Sequence, residues 1–261
     1  MNRITHSFIL PAYNESERLA ESIPKVAGYI RQRGLEAEII VVNDGSTDAT
    51  ADVVRRFAAG DGMVRLLENP GNRGKGYSVR HGMLHARGAI AMFTDADLSS
   101  PIYEADKLFA AIEAGADVAI GSRWLQRDLQ TEPQPLLRQL YGRFFNLGLR
   151  LVLGLRYRDT QCGFKAFNRR AVETIFTRQQ IELWGFDPEL LFLADKFRLK
   201  TEEVAVQWAH DHRSKIHPLR DGLRMGAEVL KIRCYDLAGR YRHPSIALAD
   251  QVHAPQAVLK D

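Results

Sequence analysis

Along the first 120 residues, short apolar runs alternate with segments whose apolar positions recur at helical spacing. "SFILPAY" (7–13) reads as a strand that Pro11 ends, and "ESERLAESIPKVAGYIRQRG" (15–34) as an amphipathic helix closed by a glycine. "AEIIVVNDGS" (37–46) is a β-branched run ending in turn residues, followed by the helix pattern "TDATADVVRRFAAG" (47–60) with Ser46 or Thr47 as its cap. "MVRLLEN" (63–69), "AIAMFTDAD" (89–97) and "ADVAIGSR" (116–123) predict further strands, separated by helices over 74–88 and 101–115. Strands alternating with helices predict an α/β fold, with a mostly parallel sheet covered on both faces.

After about residue 125 the pattern changes. Thr131 to Pro135 reads as a breaker, and "LLRQLYGRFFNLGLRLVLGL" (136–155) is amphipathic. A loop, short strand and helix follow over 159–176, a helix over 186–199, a strand over 200–211 and a long basic helix over 219–242. Without repeats or a long linker, residues 1–241 are expected to form one catalytic domain, with 242–261 a flexible tail.

In such sheets, ligands gather at the carboxyl ends of the strands. Four polar stretches fall there: Tyr13-Asn14-Glu15, Asn43 to Ser46, Asn69 to Lys75 and Thr94 to Ser100. Asp95 and Asp97, where an apolar run emerges into a loop, have the chemistry to share a hard divalent cation, although a capped turn would use the same residues. Asp44, before Gly45, offers a carboxylate to a base or ribose, or a cap to the next helix. The glycines around Arg73 and Lys75 offer backbone and positive charge to phosphates, or simply a turn. They match neither a P-loop nor a dinucleotide-binding fingerprint.

Composition narrows the picture. The 261 residues carry a formal charge of +4, compatible with an anionic ligand or membrane surface. Cys162 and Cys234 are too few for a disulfide framework, which points to a reducing cytosol. No apolar run reaches the roughly 18–20 residues of a membrane span. The histidines form no metal pattern, Trp184 and Trp208 read as packing residues, and Asp187 and Glu189 as either site residues or the first turn of a helix.

Together "PAYNE" (11–15), "VVNDGSTD" (41–48), "NRGKG" (72–76) and "TDAD" (94–97) resemble the inverting family-2 glycosyltransferases of GT-A fold, over roughly residues 5–235. "RDTQCGFKAF" (158–167), "ELWGFDPELLF" (182–192) and "EEVAVQW" (202–208) look most like the dolichyl-phosphate β-glucosyltransferases. The resemblance implies transfer of glucose from UDP-glucose to a polyprenyl phosphate, with GDP-mannose as the alternative donor and a saccharide hydroxyl as the alternative acceptor. It implies Mg²⁺ or Mn²⁺ at Asp95 and Asp97, and no nucleic-acid partner. Pro11, Tyr13, Glu15, Asp44, Lys75, Asp95, Gly163, Phe164, Ser214 and Lys215 would then bind the nucleotide sugar, with Asp97, Lys165 and Arg123 acting at the reacting centre.

Between Arg138 and Arg170, eight Lys and Arg residues face a single acid, Asp159. Arg138 and Arg143 are the expected acceptor-phosphate ligands, on an enzyme peripheral to the cytoplasmic membrane face. Two departures stand out. Leu98-Ser99-Ser100-Pro101 follows the acid pair where the mannosyltransferases carry Leu-Gln-His-Pro, and the membrane helix that the eukaryotic glucosyltransferases place ahead of "PAYNE" has no counterpart.

Overall fold

A computed structural model describes residues 4–132, 146–209 and 218–245. The ordered elements are β1 (His6–Ala12), α1 (Ser16–Arg33), β2 (Ala37–Asn43), α2 (Thr50–Gly60), β3 (Val64–Glu68), α3 (Lys75–Leu84), β4 (Ile90–Thr94), α4 (Ala105–Glu113), β5 (Val118–Ser122) and β6 (Gln130–Glu132). They continue with α5 (described over 146–153), β7 (Phe164–Asn168), α6 (Arg169–Ile175), α7 (Phe186–Lys196), β8 (Thr201–Ala205), β9 (Trp208–Ala209) and α8 (Pro218–Leu237).

Seven strands form one sheet in the order β3-β2-β1-β4-β7-β5-β8. All neighbours run parallel except β7, which is antiparallel to both β4 and β5. The central strands β1, β2, β4 and β5 read as largely apolar runs because both faces are covered. Phe8, Leu10, Ile39, Val41 and Met92 enter the core under α1, α2 and α4. Their alternating neighbours Ile9, Ile40, Val42 and Phe93 enter the core under α3 and α5 to α8.

Several local expectations are corrected. β1 runs through Pro11 to Ala12 instead of ending there; its ladder with β4 stops at Ile9, so the missing N–H of Pro11 costs no bond on that side. α2 starts at Thr50, and its first turn is held by Asp48, whose carboxylate accepts from Thr50 N (2.9 Å) and Ser16 N (3.2 Å). Ser46 instead accepts from Asn14 N, which joins the first two site loops. The breaker expected from Thr131 begins with the short strand β6, and the strand expected over 200–211 is split, with its second piece, β9, pairing with β6.

Candidate functional site

The reversal of β7 builds the site. Because it is antiparallel, its first residue, Phe164, pairs with Thr94, the last residue of β4. Gly163 is thereby set beside Asp95 at the carboxyl edge of the sheet. A β-carbon at position 163 would lie 2.8 Å from Asp95 Cγ, so glycine is what allows the carboxylate to rest there.

Asp95 is ion-paired with Lys75 at the start of α3. Asp97 is half-buried, and its Oδ1 accepts from Ser99 N at 2.9 Å. Burial first, and then the negative charge of Asp95, push the Asp97 carboxyl above its ordinary range. Two carboxylates this close at a strand edge form a place for a cation. Among the described residues no group of three His, Cys, Asp or Glu side chains is arranged to hold a metal. The donor set is thus two carboxylates, which suits a hard divalent ion that takes its remaining oxygens from phosphates and water.

Behind this pair lies a buried ionic layer. Lys165 of β7 is fully buried and donates to Cys162 O (2.6 Å) and to Asp187, with which it is ion-paired. Lys165 therefore stands behind Asp95 and is held from below by the first turn of α7. Burial raises the Asp187 carboxyl, with Lys165 and Lys75 opposing it. The Lys75 ammonium also lies 5.5 Å from the Trp184 ring centre and 6.0 Å from that of Phe186. Burial lowers its pKa, and the Asp95 charge, followed by that of Asp187, outweighs this and leaves it raised. Trp184 is 38% exposed at the site, not packed in the core as the sequence implied.

Asp44 is buried at the end of β2. Its Oδ1 accepts from Asn69 Nδ2 (2.7 Å) and Arg73 N (2.9 Å), and its Oδ2 from Gly74 N (2.8 Å). One carboxylate thus shapes the whole 69–74 loop. His81 holds Asn69 in turn, Nδ1 to Oδ1 at 2.7 Å; burial brings this histidine down to about 4, so it is neutral and donates from Nδ1. Gly45, at φ 68°, lets the two loops touch, since a β-carbon there would meet Gly71 C at 2.6 Å. Pro11 is buried, Tyr13 is 43% exposed, and Glu15, just before α1, pairs with Arg18 at 2.9 Å.

Arg123, after β5, is held by Asp159 through Nε (2.7 Å), Nη2 (2.9 Å) and its own N–H (3.1 Å). Burial alone would raise the Asp159 carboxyl, but Arg123 outweighs it and holds the group below its ordinary range. Glu203 of β8 fixes Asp159 by accepting its N–H at 2.8 Å. The guanidinium centre of Arg123 is 5.5 Å from the Trp208 ring.

The fold therefore brings Asp95, Asp97, Lys75, Lys165 and Gly163 together, while Phe164 packs into the core beneath them. Arg138, Arg143, Ser214 and Lys215 lie outside the described residues. The sequence reading assigned no role to Asp159 or Glu203, whose roles depend on contacts across the sheet, and took Asn69 only as the start of a polar loop. Only Asp159 gave a signal, as the lone acid in a run of arginines.

A family model described as Glycosyl transferase family 2 matches residues 7–176. The chain is 38% identical to a dolichyl-phosphate beta-glucosyltransferase of Drosophila melanogaster, over 92% of this chain and 78% of that protein. It is 34% identical to the human protein of that name, over 90% and 77%. Among solved structures it is similar to glucosyl-3-phosphoglycerate synthase of Mycobacterium tuberculosis in complex with uridine diphosphate. That match has a TM-score of 0.64 at 22% identity, covering 92% of this chain and 81% of that one, and speaks for the fold alone.

Proposed function

The chain belongs to glycosyl transferase family 2, in the branch of the dolichyl-phosphate β-glucosyltransferases, and we propose that it moves glucose from UDP-glucose onto a polyprenyl phosphate with inversion at the anomeric carbon. The observation that carries this reading is the Asp95–Asp97 pair at the strand edge, seated on Gly163 and met by Lys75, in a chain similar to these relatives over nearly its whole length. In it, residues 1–241 act as one catalytic domain, with 242–261 outside it.

Asp95 and Asp97 would hold Mg²⁺ or Mn²⁺, which when bound neutralises charge on the donor diphosphate. Lys75 adds a second positive charge at the same place. Asp44 sets the loop that borders the nucleotide, and Pro11, Tyr13 and Glu15 line its other side. A phosphate oxygen of the acceptor forms the new bond to the sugar C1 as the bond from C1 to the diphosphate oxygen breaks, and UDP leaves. The acceptor phosphate has a second pKa of about 6 and arrives largely ionised, so no side chain needs to take a proton.

The buried layer fits that economy. Asp187, which shares the lysines with Asp95, is in contact with Lys165 instead of open to a substrate. A saccharide-hydroxyl acceptor would need such a carboxylate as a base. No described helix is long and apolar enough to cross a membrane, and the reading places the enzyme peripherally, on the cytoplasmic face, where the lipid acceptor is met.

Purified protein with Mg²⁺, a short-chain polyprenyl phosphate and radiolabelled UDP-glucose, GDP-mannose or other nucleotide sugars tests the reading. Organic-extractable label from UDP-glucose supports it. Label from GDP-mannose alone overturns the donor, and transfer only to water-soluble sugars overturns the acceptor.

A further inference from the structure

Among the described residues, the most exposed leucines lie on two neighbouring helices. Leu147 and Leu151 on α5 are 48% and 75% exposed, and Leu230 and Leu237 on α8 are 58% and 86% exposed. Both helices already bury a full apolar stripe: Leu149 and Leu153 from α5, and Val229 and Ile232 from α8, enter the same core. The helices touch one another, Arg233 Nε donating to Val152 O at 2.7 Å. Two helices seated side by side on one core turn their remaining faces the same way. Those faces carry leucine where an ordinary surface helix carries polar residues.

Among the described side chains of the two helices, the exposed charges are positive. The described part of α5 has Arg150 and no acid. Among the described side chains of α8, Arg224 and Lys231 are exposed, whereas Glu228 is buried against Gly185 N and Asp236 is paired with Lys196 at 2.6 Å. Apolar side chains beside exposed cations complement a layer of anionic headgroups over hydrocarbon. The face is also coupled to the site. Glu228 accepts from Gly185 N at 2.7 Å, directly behind Trp184, whose ring lies over Lys75.

We propose that the outward faces of α5 and α8 dock into an anionic lipid bilayer, with the leucines entering the interface and the cations meeting the headgroups. This rests on the lipid-phosphate reading above and gives it a geometry: the helix that lies on the membrane is hydrogen-bonded to the segment that carries Trp184 to the catalytic edge.

The test is flotation of the full chain with phosphatidylcholine vesicles, with and without phosphatidylglycerol, for the wild type, Leu151→Glu/Leu230→Glu and Lys231→Glu. Wild type is expected to float with the anionic vesicles and much less with neutral ones. Loss of two interfacial leucines is expected to lower binding by on the order of a hundredfold, and loss of one cation, replaced by an acid, by about tenfold or more. Activity toward a short, water-soluble prenyl phosphate without vesicles is expected to stay within about twofold, which also reports an intact fold; Leu237→Glu replaces the double variant should that fail to fold. Flotation of the leucine variants equal to wild type overturns the proposal. So does a change from oligomer to monomer in light scattering with unchanged flotation, which would make the face a contact between copies. A protein that floats as expected but transfers nothing to lipid phosphate would leave the docking face standing and remove the acceptor assignment.

Discussion

Replacing Gly163 by alanine tests the geometry of the acid pair with one methyl group. The added β-carbon would press hardest on Asp95 Oδ2 and would lie 2.8 Å from Cγ and 2.9 Å from Oδ1, and ordinary contact begins at 3.4 Å, so the carboxylate must retreat by up to about 1 Å. The Asp95 side chain is 36% exposed and can yield without disrupting the core. The stability cost therefore falls at the low end for overpacking, about 1 kcal/mol, or roughly 2–4 °C in Tm for a domain of this size. The chemical cost is larger. A 1 Å misplacement costs about a hundredfold, so a retreat of this size predicts a loss of roughly tenfold to a hundredfold in kcat. Steady-state turnover beside a thermal melt separates the two effects. Gly28→Ala is the control, since nothing lies within 4 Å of its added carbon. Wild-type turnover in Gly163→Ala would refute the placement of Asp95.

Asp97→Ala is expected to abolish transfer while leaving the melting curve within about 2 °C, because removing a half-buried carboxylate that Asp95 repels relieves strain as well as contacts; chelation by EDTA should reproduce the loss and added Mg²⁺ or Mn²⁺ restore it. Asp159→Ala takes from the half-buried Arg123 a carboxylate that holds it through three hydrogen bonds, and should cost about 1.5–3 kcal/mol by urea unfolding. Because the folded-state pKa of Asp159 is depressed, its stabilisation is present above the unfolded carboxylate pKa and is lost as pH falls through the folded value, so the gap between wild type and variant should close only in acid. Glu189 has the opposite sign. Burial raises it to about 7, so the stability tied to its protonated form is present below its unfolded pKa and lost as pH rises through 7, by on the order of 3 kcal/mol. Glu189→Gln should flatten the decline of Tm between pH 5 and 8, and an unchanged slope would show that Glu189 does not titrate there.

The parallel half of the fold was legible because its code is local. Each strand from β1 to β5 is centred on apolar residues and followed by turn residues, and the helices between them carry apolar positions of their own. The acid pair was legible for the same reason, since Asp95 and Asp97 follow directly from β4. What stayed hidden depends on pairing between distant segments. Nothing in "FKAFN" says that β7 runs against its neighbours, yet this reversal sets Gly163 on Asp95 and buries Lys165 over Asp187. Asp159 looked like an isolated acid until β5 and β8 brought Arg123 and Glu203 to it. Trp184 was misread because a large aromatic usually packs, whereas here the close fit of Gly74 and Gly76 against residues 181–183 holds its segment at the surface.

The central claim is that a phosphate, not a hydroxyl, receives the sugar, and ³¹P NMR of the lipid acceptor addresses it directly. With UDP-glucose, Mg²⁺ and a short polyprenyl phosphate, the monoester resonance should be replaced by a single phosphodiester resonance coupled to a β-configured glucose C1. A monoester left intact while UDP accumulates, or a diester of α configuration, would contradict it.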